Sequence, residues 1–196
     1  MKTMKKILNL SAILLFVFSF NLANGQEATA QEDVMNTAWG KYMTPGEMHE
    51  MLSRSNGEWK ETLTFWEPGK KESQTYSASC KNEMILGGRY QKSTHSGEIM
   101  GMAFEGIGIV GYDNAKKVFQ STWCDNMGTG ISFTEGPYDP ATKKINMKGK
   151  MMDPETGKEM NIRQVFTFVD DNTQKFEMYM THEGKEFKSM EIEYKR

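Results

Sequence analysis

From Trp59 to Arg196 the sequence is a ladder of short alternating segments, cut at near-regular intervals by clusters of turn residues. The clusters are Gly111-Tyr112-Asp113-Asn114, Tyr138-Asp139-Pro140-Ala141-Thr142, Asp153-Pro154-Glu155-Thr156-Gly157, Asp170-Asp171-Asn172 and Glu183-Gly184. Asp and Asn bond their own backbone, Pro presets φ and Gly admits positive φ, so each cluster reverses the chain. The intervals leave no room for the crossover helices that parallel strands need. The fold class is therefore all-β, an antiparallel meander closed into a barrel.

Between the turns the apolar residues fall two apart. Trp59, Leu63 and Phe65 alternate with Lys60, Thr62 and Thr64. Met100, Met102, Phe104 and Val110 share a face with Gly106 and Gly108, and Ile145 shares one with Met147 and Met151. Met160, Ile162, Phe166 and Phe168 form another such set, as do Phe176, Met178 and Met180. Period two with polar residues opposite means one wet face and one packed face. About ten strands are predicted, a number at which a barrel can hold one small ligand.

Ahead of the strands, Lys2, Lys5 and Lys6 precede the apolar run Ile7 to Phe20, and Ala23 and Gly25 follow it. That order predicts a secretory signal over residues 1–25, too short in its apolar run to span a bilayer. Residues 26–31 read as a disordered tail, and residues 32–196 as one barrel domain with a helical pair at 32–56. Val34, Met35, Ala38, Trp39 and Tyr42 recur at helical spacing. Thr44-Pro45-Gly46-Glu47 has the form of a capping box for the second helix, whose stripe is Met48, Met51 and Leu52. A formal net charge of −2 gives no footprint for nucleic acid. The expected location is outside the cytoplasm, periplasmic or secreted, without a membrane anchor. Of the two cysteines, Cys80 and Cys124, the favoured reading is two free, half-buried thiols, with a bridge as the alternative.

Several segments carry a resemblance. Gly57-Glu58-Trp59 after a short helix is similar to the Gly-x-Trp opening of lipocalin-like (calycin-type) barrels. With it come His49-Glu50-Met51-Leu52, Leu86-Gly87-Gly88-Arg89-Tyr90, Phe104-Glu105-Gly106, Trp123 with Asp125, and a closing Tyr194-Lys195-Arg196. Together they resemble the secreted bacterial lipocalin-like proteins of domain of unknown function family 1579. The resemblance implies the barrel and a bacterial origin. It implies no activity. It also implies that Arg196 or Lys195 packs over Trp59 and closes one barrel end.

No catalytic or cofactor motif is present: the sequence has no Gly-x-Ser-x-Gly, His-Glu-x-x-His, Cys-x-x-Cys or phosphate loop. His49 reads as a hydrogen-bonded helix residue, and His95, in Ser93-Thr94-His95-Ser96-Gly97, as a surface turn. Met178, Met180 and His182 share a strand face of the kind that suits Cu(I), but core filling by Met is the stronger reading. No cofactor or metal is assigned. The expected ligand-binding residues are Arg89, Trp123, Asp125, Glu61 and Gln164. Arg89 is read as a carboxylate anchor inside the barrel or as a barrel-end brace. Trp123 and Asp125 share a face and either line a cavity or form a core Trp with a turn cap. Glu61 and Gln164 fall at apolar parity and need buried partners or a ligand. The expected partner is a small apolar or amphipathic molecule. The alternatives are an isomerase or hydrolase using Asp125 or Glu61 as base, or a barrel with a filled interior.

Overall fold

The computed structural model of the protein describes residues 34–196. The expected signal segment 1–25 and tail 26–31 lie outside the described residues. Two helices, α1 (Ala38–Met43) and α2 (Glu47–Ser53), precede eleven strands. The strands are β1 (Gly57–Trp66), β2 (Ser73–Ile85), β3 (Tyr90–Ile99), β4 (Met102–Asp113), β5 (Val118–Asp125) and β6 (Ser132–Gly136). They continue with β7 (Tyr138–Asp139), β8 (Lys144–Met152), β9 (Glu159–Asp170), β10 (Thr173–His182) and β11 (Lys185–Lys195). Neighbours in sequence pair antiparallel except β6 and β7, which each pair with β8, and β1 pairs with β11. Ten strands thus form a closed ring, and β6 and β7 run along β8 as one strand bent at Gly136-Pro137. No helix among the described residues is long and apolar enough to cross a membrane.

The parity read from the sequence sets the inward faces, with local departures. Met100 leaves β4 for the turn, where it and Gly101 take positive φ. Gly106 faces inward by the same parity, and a side chain is excluded there because a Cβ would stand 2.5 Å from the Trp123 ring. The N-terminal region departs further. The predicted box starts two residues too early: α2 begins at Glu47 after Gly46, and His49 takes over the box's part. The His49 Nδ1 accepts from the Gly46 N–H at 3.0 Å, while Thr44 Oγ1 donates back to the Gly40 carbonyl of α1.

The helical pair also divides its labour. Helix α2 plugs one end of the barrel, with Leu52 buried among Phe119, Ile145 and Met147. Helix α1 lies outside, with Trp39, Tyr42 and Met43 exposed. It is tied down by backbone acceptors instead: Asn114 Nδ2 donates to the carbonyls of Lys41, Tyr42 and Thr44, and Arg89 Nη2 donates to Met43 at 2.7 Å.

Candidate functional site

A helix leaves its last carbonyls without intrahelical donors. Here the barrel supplies them. Gln91 of β3 donates to the Leu52 carbonyl at 2.6 Å. Trp59 of β1 and Asn82 of β2 both donate to the Ser55 carbonyl, at 2.8 and 3.1 Å. Gln174 of β10 donates to the Ser55 hydroxyl at 2.6 Å. Outside this ring, Arg196 donates to the carbonyls of Arg54, Asn56 and Asp171, with its guanidinium 4.3 Å from the centroid of the Trp59 ring. Inward polar side chains from four strands therefore bind α2 in place. This end is sealed.

Toward the other end the inward residues of β1, β2, β8, β10 and β11 lose part of their cover, while Ile99 of β3 and Phe104 of β4 stay buried. Along β1, Trp59, Glu61 and Leu63 are buried and Phe65 is half-buried. Along β2, Asn82 and Cys80 give way to half-buried Ala78 and Tyr76. On β8, buried Ile145 and Met147 lead to half-buried Met151, and on β10 buried Gln174 leads to half-buried Phe176, Met178 and Met180. On β11 the sequence runs from buried Tyr194 and Ile192 to half-buried Met190 and Phe187. Half-buried Met and aromatic side chains of β1, β2, β10 and β11 line the rim at this end, with Phe65, Tyr76, Phe176 and Met190 packed against the buried cluster of Leu63, Ile99, Phe104 and Ile192.

Between plug and rim lies a polar cluster that local sequence did not disclose. Cys80 and His95 are direct cross-strand partners on β2 and β3, and their side chains share the interior. Cys80 Sγ stands 3.6 Å from His95 Nε2, and His95 Nδ1 stands 2.8 Å from Glu61 Oε1. Cys80 Sγ also donates to Asn82 Oδ1 at 3.2 Å. Glu61 is 2% exposed, and its second oxygen, Oε2, has no hydrogen-bond partner. The Trp123 ring meets His95 edge-on at 4.9 Å. Burial, and then the nearby Glu61 charge, push the Cys80 thiol far above its ordinary range. Burial, Glu61 and Cys80 act the same way on the Tyr194 hydroxyl.

The expected ligand residues separate into three groups. Glu61, Trp123 and Asp125 come together, since Trp123 packs on His95 and its Nε1 donates to Asp125 Oδ2 at 2.7 Å. Asp125 Oδ1 also accepts from the Met127 N–H, so the turn-cap role holds alongside. Gln164 faces inward but is bonded to Thr134 Oγ1 at 2.8 Å, away from Glu61. Arg89 does not project into the barrel. It sits exposed beside the left-handed turn Leu86-Gly87-Gly88 and braces the α1 segment from outside.

His95 is the residue whose reading changes most: it is no surface turn but lies mid-strand, 6% exposed. Ser, Thr and Gly around it have turn chemistry, and pairing with β2 and β4 overrides that preference. The usable signal was parity, because Gln91, Ser93, His95, Gly97 and Ile99 all face one way. The cysteines split, Cys80 buried and Cys124 exposed, both free. His182 is exposed at the end of β10.

Two surface clefts lie on the outer wall. One, of about 300 Å³, runs beneath Tyr42 to Pro45 and is lined by Arg89, Ile109, Gln120 and Phe133. The other, of about 510 Å³, lies along Lys148, Asn161, Arg163 and Glu186. Neither is lined by Glu61, Trp123, Asp125 or Gln164.

A family model described as Protein of unknown function (DUF1579) matches residues 44–196. The crystal structure of Rv2717c from M. tuberculosis is 13% identical, covers 78% of this chain and 99% of that one, and superposes with a TM-score of 0.58. That is a likeness of fold. A redesigned β-barrel is 14% identical over 77% of this chain and 98% of its own, with a TM-score of 0.42. No curated protein sequence matches the chain.

Proposed function

We propose that this chain, which belongs to the Protein of unknown function (DUF1579) family, is an exported carrier of a small apolar or amphipathic molecule taken up at the end of the barrel away from α2. The observation that carries the reading is the graded burial along β1, β2, β10 and β11, closed over α2 and half-exposed around Phe65, Tyr76, Met178, Met180 and Met190. Apolar side chains left half-wet on a concave face gain by covering themselves, and methionines adapt their shape to an incoming molecule. Trp123 and Asp125, half-buried on the same inward side, add a flat ring and an acceptor. Export rests on the charged and apolar pattern of residues 1–25.

The test is titration with an uncharged naphthylamine dye whose fluorescence rises in apolar surroundings. Saturable binding that Met178→Lys weakens about tenfold or more, the scale expected for losing one buried apolar side chain, supports the reading. Thr181→Lys, on the outward face of the same strand, serves as the control. Binding that does not saturate, or that both variants weaken equally, refutes it.

A further inference from the structure

We infer that Cys80, His95 and Asn82, with Glu61 behind His95, form a binding site for a borderline divalent transition ion of the Zn²⁺ class. The inference concerns the floor of the barrel and does not depend on what binds at its rim.

The first argument is spacing. Tetrahedral Zn²⁺, at about 2.3 Å from sulfur and about 2.0–2.1 Å from nitrogen, holds those two ligand atoms about 3.6 Å apart. Cys80 Sγ and His95 Nε2 are 3.6 Å apart. Asn82 Oδ1 lies 3.2 Å from the same sulfur and supplies a third donor from the same strand face. A thiolate, an imidazole and an amide oxygen together suit a borderline ion. Hard Mg²⁺ or Ca²⁺ would want oxygen alone.

The second argument is orientation. In the tautomer whose Nδ1–H donates to Glu61 Oε1, 2.8 Å away, Nε2 is the free ring acceptor. Nε2 then points its lone pair toward Cys80 Sγ. A carboxylate fixing the tautomer of a ligating histidine is the outer-shell arrangement that tunes metal sites.

The third argument is independent of both. Glu61 Oε2 is fully buried and lacks any partner. A buried carboxylate so placed is costly unless positive charge compensates it. The donor atoms of Glu61, Cys80 and His95 all lie within 4.8 Å of one another, so an ion between sulfur and imidazole would supply that charge at short range. On binding, coordinate bonds form to Cys80 Sγ, His95 Nε2 and Asn82 Oδ1, and the thiol proton leaves to solvent.

The same order of atoms, sulfur to imidazole to carboxylate, is also that of a cysteine nucleophile with its base and orienting group. Two features favour the ion. Cys80 is 3% exposed, too enclosed for an acyl substrate. The surrounding walls are paired strands whose N–H groups are committed within the sheet, leaving no oxyanion donors beside the sulfur among the described residues.

The experiment titrates chelator-treated full-length protein with Co²⁺ and follows the near-ultraviolet thiolate-to-metal charge-transfer band. A band that saturates at one equivalent and is bleached by Zn²⁺ is expected. Cys124→Ser should keep it and Cys80→Ser should lose it. Glu61→Gln should weaken Co²⁺ binding about 10- to 100-fold, as outer-shell changes do. Thermal unfolding of each variant shows whether it is folded. If Cys80→Ser does not fold, Cys124→Ser alone decides, because Cys80 is then the one thiol left in the chain and a thiolate charge-transfer band must come from it. No band at saturation, or one that follows the exposed Cys124, overturns the inference. Neither result bears on dye binding at the rim.

Discussion

If α2 is a true plug, removing its central side chain must damage the whole barrel. Leu52 is 3% exposed and packs against Phe119 of β5 and Ile145 and Met147 of β8, the strands on either side of β6. Leu52→Ala removes the transfer energy of the lost carbons and leaves a void that paired strands cannot easily collapse into. Buried Leu→Ala changes cost about 2–5 kcal/mol. A value near 3 kcal/mol is expected here, because the Leu52 carbonyl keeps its bond from Gln91 and the helix stays anchored. For a chain this size that lowers Tm by about 6–12 °C, at about 2–4 °C per kcal/mol. Urea unfolding followed by tryptophan fluorescence reads it directly, since Trp59 is buried next to the plug. The midpoint should fall with the slope unchanged. Trp39→Ala on the outer helix, at a residue 70% exposed, should stay within about 0.5 kcal/mol of wild type. A Leu52→Ala cost below about 1 kcal/mol, or an equal cost for Trp39→Ala, would falsify the assignment of α2 as plug and α1 as outer strap.

The remaining predictions probe other joints of the same architecture. Arg196→Ala breaks three carbonyl contacts at 2.8–3.0 Å and the stacking on Trp59; on an exposed surface that is expected to cost about 1–2 kcal/mol. Arg196→Lys should not restore the loss in denaturant melts, because an ammonium lacks the guanidinium fork. Gly136→Ala should disrupt barrel closure, since its Cβ would lie 1.8 Å from the Asn146 carbonyl oxygen; a soluble variant with wild-type stability would count against the β6–β8 pairing. His49 is held below its ordinary pKa of 6.5, first by burial, with the Arg89 charge adding to it. The neutral ring is therefore part of the fold. Its contribution is complete above the unfolded value, about 6.5, and is lost as pH falls toward the lower folded value. Between pH 7 and pH 5 the wild type should lose more stability than His49→Gln; parallel profiles in chemical denaturation would exclude this role.

The strands were legible because a strand writes its inward face into adjacent residues. Trp59, Leu63 and Phe65, or Phe176, Met178 and Met180, need only period two to be read, and the Asp-, Pro- and Gly-bearing turns mark where each run stops. Glu61 and Gln164 were visible as polar residues at apolar parity for the same reason. His95 was hidden by its neighbours, whose turn chemistry outweighed the parity of Gln91 and Ile99. For Arg89 the alternation could not choose between its two readings: a turn with positive φ at Leu86, Gly87 and Gly88 sets it on the outer wall, where it braces Met43.

What the sequence determined by itself is the alternation, the reversals and hence an antiparallel barrel. Which interior residues meet was decided only by register between strands remote along the chain. Cys80 faces His95 because β2 and β3 pair in one register, and a slip of one residue would put the two side chains on opposite faces of the sheet. Glu61 reaches His95 across 34 residues because β1 and β3 both pair with β2 in a fixed register. The sealed end likewise exists only in three dimensions, where Gln91, Asn82, Trp59 and Gln174 converge on the carbonyls and hydroxyl that follow α2. Local pattern encodes which way a side chain points; the hydrogen-bond ladder between strands encodes what it finds there.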